Sequence, residues 1–209
     1  MNAELFAVQL PTEFTLDDVA AMAEVDQRGH RFELSPEGIL YVQPSPSVEH
    51  AIIASQLQIW FVAGGWSAMQ VLQNVGLRIE LDRGIGGRVP DLTLWSAPPS
   101  GPVWSALDRL LLAIEIISPG SEPIDWIIKK DEYAAAGVPR YWIVNRDAAN
   151  TVTMLRLEPD GYRQVLAQPL AWLLNTRFLG TISPTSASSA QRSRSAGRIL
   201  SKTKESAGR

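Results

Sequence analysis

The chain has 209 residues, 45% of them hydrophobic, no cysteine and a formal net charge of -3. That apolar content can fill a core, which excludes a wholly disordered chain, and the lack of cysteine excludes a disulfide framework or a thiolate metal site, in keeping with a cytoplasmic setting. No apolar run reaches the length of a membrane span, and MNAELFAVQLPTEF carries Glu4 with no basic region before an apolar core, so the sequence predicts an unexported protein with no membrane partner.

Thr15, with Asp18 three residues on, forms a variant of the capping box and starts a helix through LDDVAAMAEV. HRFELSPEGILYVQP follows as two short strands around Pro36-Glu37-Gly38. From Ser47, the residues Val48, Ile52, Ile53, Leu57, Ile59 and Trp60 fall mostly at helical spacing, and Gly64-Gly65 ends the element. MQVLQ, GLRIELD and RVPDLTLW are successive strands, and the loop SAPPSGP leads to the strand RLLLAIEIISPG. Pro123 suits the first turn of a helix, PIDWIIKKDEYAAAG, which Gly137 closes; RYWIVN, TVTMLRL and GYRQVL complete the strands.

This order predicts an α/β (α+β) fold with a central mixed sheet flanked by helices. The domain is expected over residues 14–182, after an N-terminal extension of residues 1–13. Residues 183–209 hold six basic residues against one acid, leaving -8 on the chain before them. With Ile199 and Leu200 as its only large apolar residues, this Ser/Arg-rich tail is expected to be disordered.

Glu115 is the one acid in the apolar strand. A buried carboxylate without partners is costly, so it must reach solvent, pair with a cation or bind a metal. Alternation puts Ile114 and Ile116 on one face and Ala113, Glu115 and Ile117 on the other, and so long an apolar run suits a strand covered on both sides. Asp91 follows Pro90, which cannot donate to a ladder and so marks a strand start, an edge or a bulge. Alone, Asp91 is an ordinary turn acid. Paired with Glu115 at the ends of neighbouring strands, it makes a hard-oxygen site for Mg2+ or Mn2+.

On the helix of residues 123–137 the spacing predicts a core stripe of Ile124, Ile127, Ile128, Ala135 and Val138. Lys129 lies off it, in line with Trp126, Tyr133 and Ala136, and Asp125 four residues earlier is a ready surface ion-pair partner. Lys130 is the alternative, and spacing does not choose between them.

VPDLTLW, LLLAIEIISPGS and DWIIKKDEYAAAGVPRYWIVN, in that order, resemble the Uma-type restriction endonuclease family of the PD-(D/E)XK, restriction-endonuclease-like superfamily. FELSPEGILYVQPSPSVEHAIIASQL resembles its N-terminal part, so the likeness spans roughly residues 14 to 166. The resemblance implies a nuclease core with Asp91 and Glu115 as metal ligands, assisted by the main-chain carbonyl of Ile116. The superfamily's lysine two residues after the glutamate is here Ile117. The Uma-type pattern instead carries a lysine on the next helix, four residues before a tyrosine, which is Lys129 before Tyr133. Glu33 in RFEL matches an acid beside such sites, and His50 matches the histidine opening the second helix, a substrate-side candidate. Unaided by the resemblance, both read as surface residues.

The activity so implied is metal-dependent endonucleolytic hydrolysis of nucleic acid, with DNA the expected substrate. An acidic body opposes this, since phosphate neutralisation drives nucleic-acid affinity. The alternative is a nuclease-fold module without activity that serves in interaction or assembly. A homodimer is compatible with either.

Overall fold

The computed structural model describes residues 13–101 and 103–176. The expected basic tail and all but the last residue of the expected N-terminal extension lie outside the described residues.

Helix α1 (Leu16–Val25) starts where expected: Asp18 gives its amide to the Thr15 hydroxyl at 3.2 Å and its carboxylate takes the Thr15 amide at 2.8 Å. Strands β1 (Arg31–Leu34) and β2 (Leu40–Gln43) form the expected antiparallel pair, and Ser47 caps α2 (Val48–Ala63) by accepting the His50 amide. Then follow β3 (Val71–Gln73), β4 (Gly76–Leu81), β5 (Gly84–Arg88), β6 (Leu92–Trp95), the two-residue β7 (Trp104–Ser105) and β8 (Leu110–Ile116). A π-helical turn, Ile124–Lys129, runs into α3 (Lys130–Ala135), and β9 (Arg140–Val144), β10 (Thr151–Glu158), β11 (Gly161–Pro169) and α4 (Leu170–Asn175) complete the order.

The fold class is as expected, but the strands divide into two sheets. One has the order β2-β1-β5-β4-β7 and the other β11-β10-β9-β8-β6-β3. Both are mixed, with β4–β7 and β8–β9 as parallel pairs. The division follows from β5. GIGGR has no hydrophobic alternation to announce a strand, yet it hairpins with β4 and meets β1 at Leu34–Gly87. Glycine is required there for space. A Cβ at Gly87 would stand 2.6 Å from the Trp104 ring and 2.7 Å from the Leu16 side chain. RVPDLTLW is therefore two strand ends joined at Val89–Asp91, and Pro90 sits where the chain leaves one sheet for the other.

Strand β8 is central in its sheet and covered on both faces, as its composition implied. Leu112, Ile114 and Ile116 pack with Ile53, Leu57 and Phe61 of α2, and with Trp142. Ala113 and Ile117, on the Glu115 side, pack with Tyr133, Val138 and Tyr141. These layers enclose the end of β8 where Glu115 stands.

The β4–β5 turn is backed by the β1–β2 turn. Gly84 has φ +137°, and a Cβ there would lie 2.0 Å from the carbonyl oxygen of Pro36. Gly84→Ala is expected to cost at least about 1–3 kcal/mol through backbone strain, lowering the melting temperature by several degrees in calorimetry. An unchanged transition would mean that the two turns separate freely.

Candidate active site

Pairing of β6 with β8 sets Leu92 opposite Ile114, which carries Asp91, just before β6, to the end of β8. There the Ile116 amide donates to Asp91 Oδ2 at 2.7 Å. The Ile116 carbonyl lies on the same side of the strand as its amide. Asp91 Oδ1 accepts from His50 Nε2 at 2.9 Å and pairs with Arg31 Nη1. His50 comes from the first turn of α2, with its Nδ1 3.4 Å from the Ser118 hydroxyl. Arg31 opens β1, and its Nη1 also donates to Asn74 Oδ1 at 3.3 Å.

The second half of the site surrounds the Lys129 ammonium. Nζ is 3.0 Å from Glu115 Oε1, 3.2 Å from Glu33 Oε1 and 3.4 Å from Asp125 Oδ1. Tyr133 donates its hydroxyl to Glu115 at 3.0 Å, and Ser121 donates to Asp125 at 2.7 Å. Behind them Arg88 makes a bidentate pair with Glu132, 2.7 Å on each arm, reaches Glu33 at 3.3 Å and stacks on the Tyr41 ring. Glu33 further accepts from the Val89 amide at 2.8 Å and from Gln43 Nε2 at 3.2 Å.

Thus Asp91, Glu115, Lys129, Glu33, His50 and Ile116 all come together. Glu33 and His50, which read alone as surface residues, are buried. Two helix expectations need correction. The buried side of residues 124–135 is Asp125, Lys129, Glu132 and Tyr133; of the expected apolar stripe, Val138 is buried and Ile124 and Ile128 are half-buried, but Ala135 is exposed and Ile127 is 68% exposed. The π-helical turn alters the phase of the side chains from the α-helical spacing assumed. Asp125–Lys129 is likewise a buried pair and not a surface one. Lys130 is half-buried and makes no ion pair among those described.

Arg31, Arg88 and Glu132 were missed. Arg31 was within reach of sequence reasoning, since it lies two residues before Glu33 on one strand and so shares its face. Arg88 and Glu132, 44 residues apart, carried no local signal.

Burial governs the electrostatics. It pushes the Glu115 carboxyl well above its ordinary range; Lys129 opposes this, while Asp125 and Asp91 add to it. Asp125 is also raised by burial. Burial would raise Glu33 too, but Lys129, Arg88 and the Val89 amide outweigh it and hold Glu33 low. For Asp91, the His50 hydrogen bond, Arg31 and the Ile116 amide likewise overcome burial and keep it low. Lys129 is held above its ordinary range because Glu115, Glu33 and Asp125 outweigh the burial that would lower it.

Five buried carboxyls (Glu33, Asp91, Glu115, Asp125, Glu132) face three obligate cations, Arg31, Arg88 and Lys129. The formal shortfall is two positive charges, and two of the acids, Glu115 and Asp125, are the ones pushed towards their neutral forms. A single divalent cation would supply that charge. Among the described residues no group of three or more His, Asp or Glu side chains forms a metal cage. Two carboxylates and a carbonyl instead suit Mg2+, which keeps several waters and binds through one or two carboxylates together with substrate phosphate. The donor set fits.

The Uma2 family, described as "Putative restriction endonuclease", matches residues 16–185. The chain belongs to this family. Uma2 membership supports nuclease function in general. A solved structure described as "a putative nuclease belonging to DUF820", from Anabaena variabilis, is similar in fold, with 18% identity, a TM-score of 0.50, and coverage of 75% of this chain and 96% of that one. No curated protein matches the chain. No helix among the described residues is long and apolar enough to cross a membrane.

The raised Glu115 and the lowered Asp91 give opposite pH signatures in chelator-treated protein. For Glu115, the stabilisation linked to its proton is full below the unfolded value of about 4.3 and is lost as pH rises through the raised folded value. Glu115→Gln is permanently neutral, so its melting temperature should gain on the wild type as pH rises above about 4.3. For Asp91, the contribution is present above about 3.9 and lost as pH falls, so the deficit of Asp91→Asn should shrink on acidification. Calorimetry across that range checks both; a Glu115→Gln deficit that deepens with rising pH would sink the assignment of a raised carboxyl.

Proposed function

We propose that this protein is a metal-dependent endonuclease that hydrolyses phosphodiester bonds of nucleic acid, with DNA as substrate and Mg2+ or Mn2+ as cofactor. The observation that carries the reading is the convergence of Asp91, Glu115 and Lys129 in one buried cluster short of two positive charges. Asp91 and Glu115 would hold the ion, with the Ile116 carbonyl as a third oxygen. When bound, the ion neutralises charge on the phosphate and lowers the pKa of a water for attack.

The chain's own residues do the rest. Lys129, kept protonated by its three acids, orients the nucleophile or stabilises the negative charge that develops on the phosphate. Glu33 helps fix the ammonium, and Arg88, itself anchored by Glu132, fixes Glu33. His50 steadies Asp91 through Oδ1, leaving the Ile116 amide to orient Oδ2.

One observation favours the second reading, an inactive module for interaction or assembly: Arg31 already pairs with the Asp91 carboxylate. Isothermal titration with Mn2+ separates the two. Binding that disappears in Asp91→Ala supports the enzyme, and no binding by the wild type supports the module.

Asp91→Asn and Glu115→Gln are each expected to abolish metal-dependent cleavage while circular dichroism reports an intact fold. A variant that cuts at the parental rate removes that residue from the ligand set.

Lys129→Ala should lose at least about tenfold in rate at saturating substrate and metal, equivalent to roughly 1.4 kcal/mol. Lys130→Ala should alter mainly binding or its salt dependence. Removing Lys129 leaves three buried acids without it and costs about 3–5 kcal/mol of stability, so rates must be normalised to folded protein. The reverse ranking would reject the helix lysine and leave the acidic pair standing.

A further inference from the structure

The three obligate cations of the cluster are not equivalent. Lys129 is enclosed by three carboxylates, with 2% of its side chain exposed. Arg88 is fully buried, and its guanidinium is engaged by Glu132, Glu33 and the Tyr41 ring. Neither is open to solvent, and neither has a nitrogen without a partner among the described residues. Arg31 differs on both counts. Its side chain is 16% exposed, and its Nε is the one buried side-chain nitrogen or oxygen without a hydrogen-bond partner among the described residues.

Its partners are also unevenly committed. The Asn74 contact, at 3.3 Å, is long, and Asp91 keeps the His50 and Ile116 hydrogen bonds if Arg31 departs. The present pose of Arg31 is therefore under-satisfied, and leaving it does not strand the carboxylate. A divalent ion on Asp91 would put a second cation beside the guanidinium, and like charges in a partly buried site repel strongly. The phosphodiester arriving with that ion is an anion whose paired oxygens match the guanidinium fork.

We propose that Arg31 is a phosphate ligand of this site, held on Asp91 in the metal-free protein and transferred to the substrate phosphodiester when a divalent ion takes Asp91. The inference rests on the nuclease reading and deepens it by assigning the substrate contact to a residue that the motif does not include. Arg31 thereby supplies the cation that an acidic cluster needs at its mouth if a polyanion is to approach. It contacts backbone phosphate and no base edge, so it contributes affinity without sequence preference.

The test combines metal binding to the free protein with steady-state cleavage of an oligonucleotide duplex. In isothermal titration with Mn2+ alone, Arg31→Gln should bind at least about threefold more tightly than the wild type, because the cation competing for Asp91 is gone, with Arg31→Lys between them. In cleavage with Mn2+, Arg31→Gln should raise KM about tenfold or more, while kcat changes less and Arg31→Lys recovers part of the loss. A residue that merely shaped Asp91 would weaken Mn2+ binding when removed, so weakened or unchanged affinity in Arg31→Gln overturns the exchange. An unchanged KM overturns the phosphate contact. Wild-type protein that binds no Mn2+, or binds it and cuts no oligonucleotide, overturns the nuclease reading and this inference with it, whereas wild-type binding and cleavage with an inert Arg31 overturns the inference alone.

Discussion

The Lys129 ammonium, buried among Glu33, Glu115 and Asp125, is the interaction around which this molecule is arranged. Its three acids come from different elements: β1, β8 and the π-helical turn before α3. An ammonium in a low-dielectric interior is tolerated only with close partners, and each of those carboxylates would be penalised as heavily without it. The mutual requirement ties both sheets and the helix to one point. Arg88, paired with Glu132 and Glu33, extends the same logic one layer further back.

The division into two sheets supplies that geometry. Glu33 and Arg88 belong to the five-stranded sheet, while Glu115 sits in the six-stranded one and Asp91 at its margin. The chain crosses between them at Val89–Asp91, and the Val89 amide serves Glu33 within two residues of Asp91, which serves Ile116. The crossing is thus bonded to both sides of the cluster. Glycines 86 and 87 let β5 approach β1 and Trp104 closely enough to make the smaller sheet, and through it they position the acid that holds Lys129.

Charge separates structural from functional roles within the network. A purely structural buried network tends towards balance, because every uncompensated carboxyl costs desolvation energy. Here Arg88–Glu132 is saturated, whereas Glu115 and Asp125 are driven towards neutrality and Arg31 keeps an unpaired nitrogen. Perturbed carboxyls of this kind beside an under-satisfied cation mark a candidate functional site.

The sequence by itself determined α1, α2, the helical segment that ends in α3 and most strands, but not α4, because capping pairs, glycine stops and apolar runs act over a few residues. It also pointed to Glu115, a lone acid in an apolar strand, and through pairing with it to Asp91, which alone reads as an ordinary turn acid. It did not announce β5, whose glycines serve close packing and leave no periodic trace, nor the face of the helix that would be buried, since the π-helical turn breaks the spacing from which a face is read. Between Lys129 and Lys130 the spacing was silent and the family resemblance made the choice; in the fold Lys129 is buried and Lys130 half-buried. Only the tertiary structure decided that Glu33 and His50 are interior residues, that Arg88 meets Glu132, and that Arg31 stands on Asp91. The reason is physical: a buried charge is stabilised by partners tens of residues away, and only the folded chain sets which partners lie within reach.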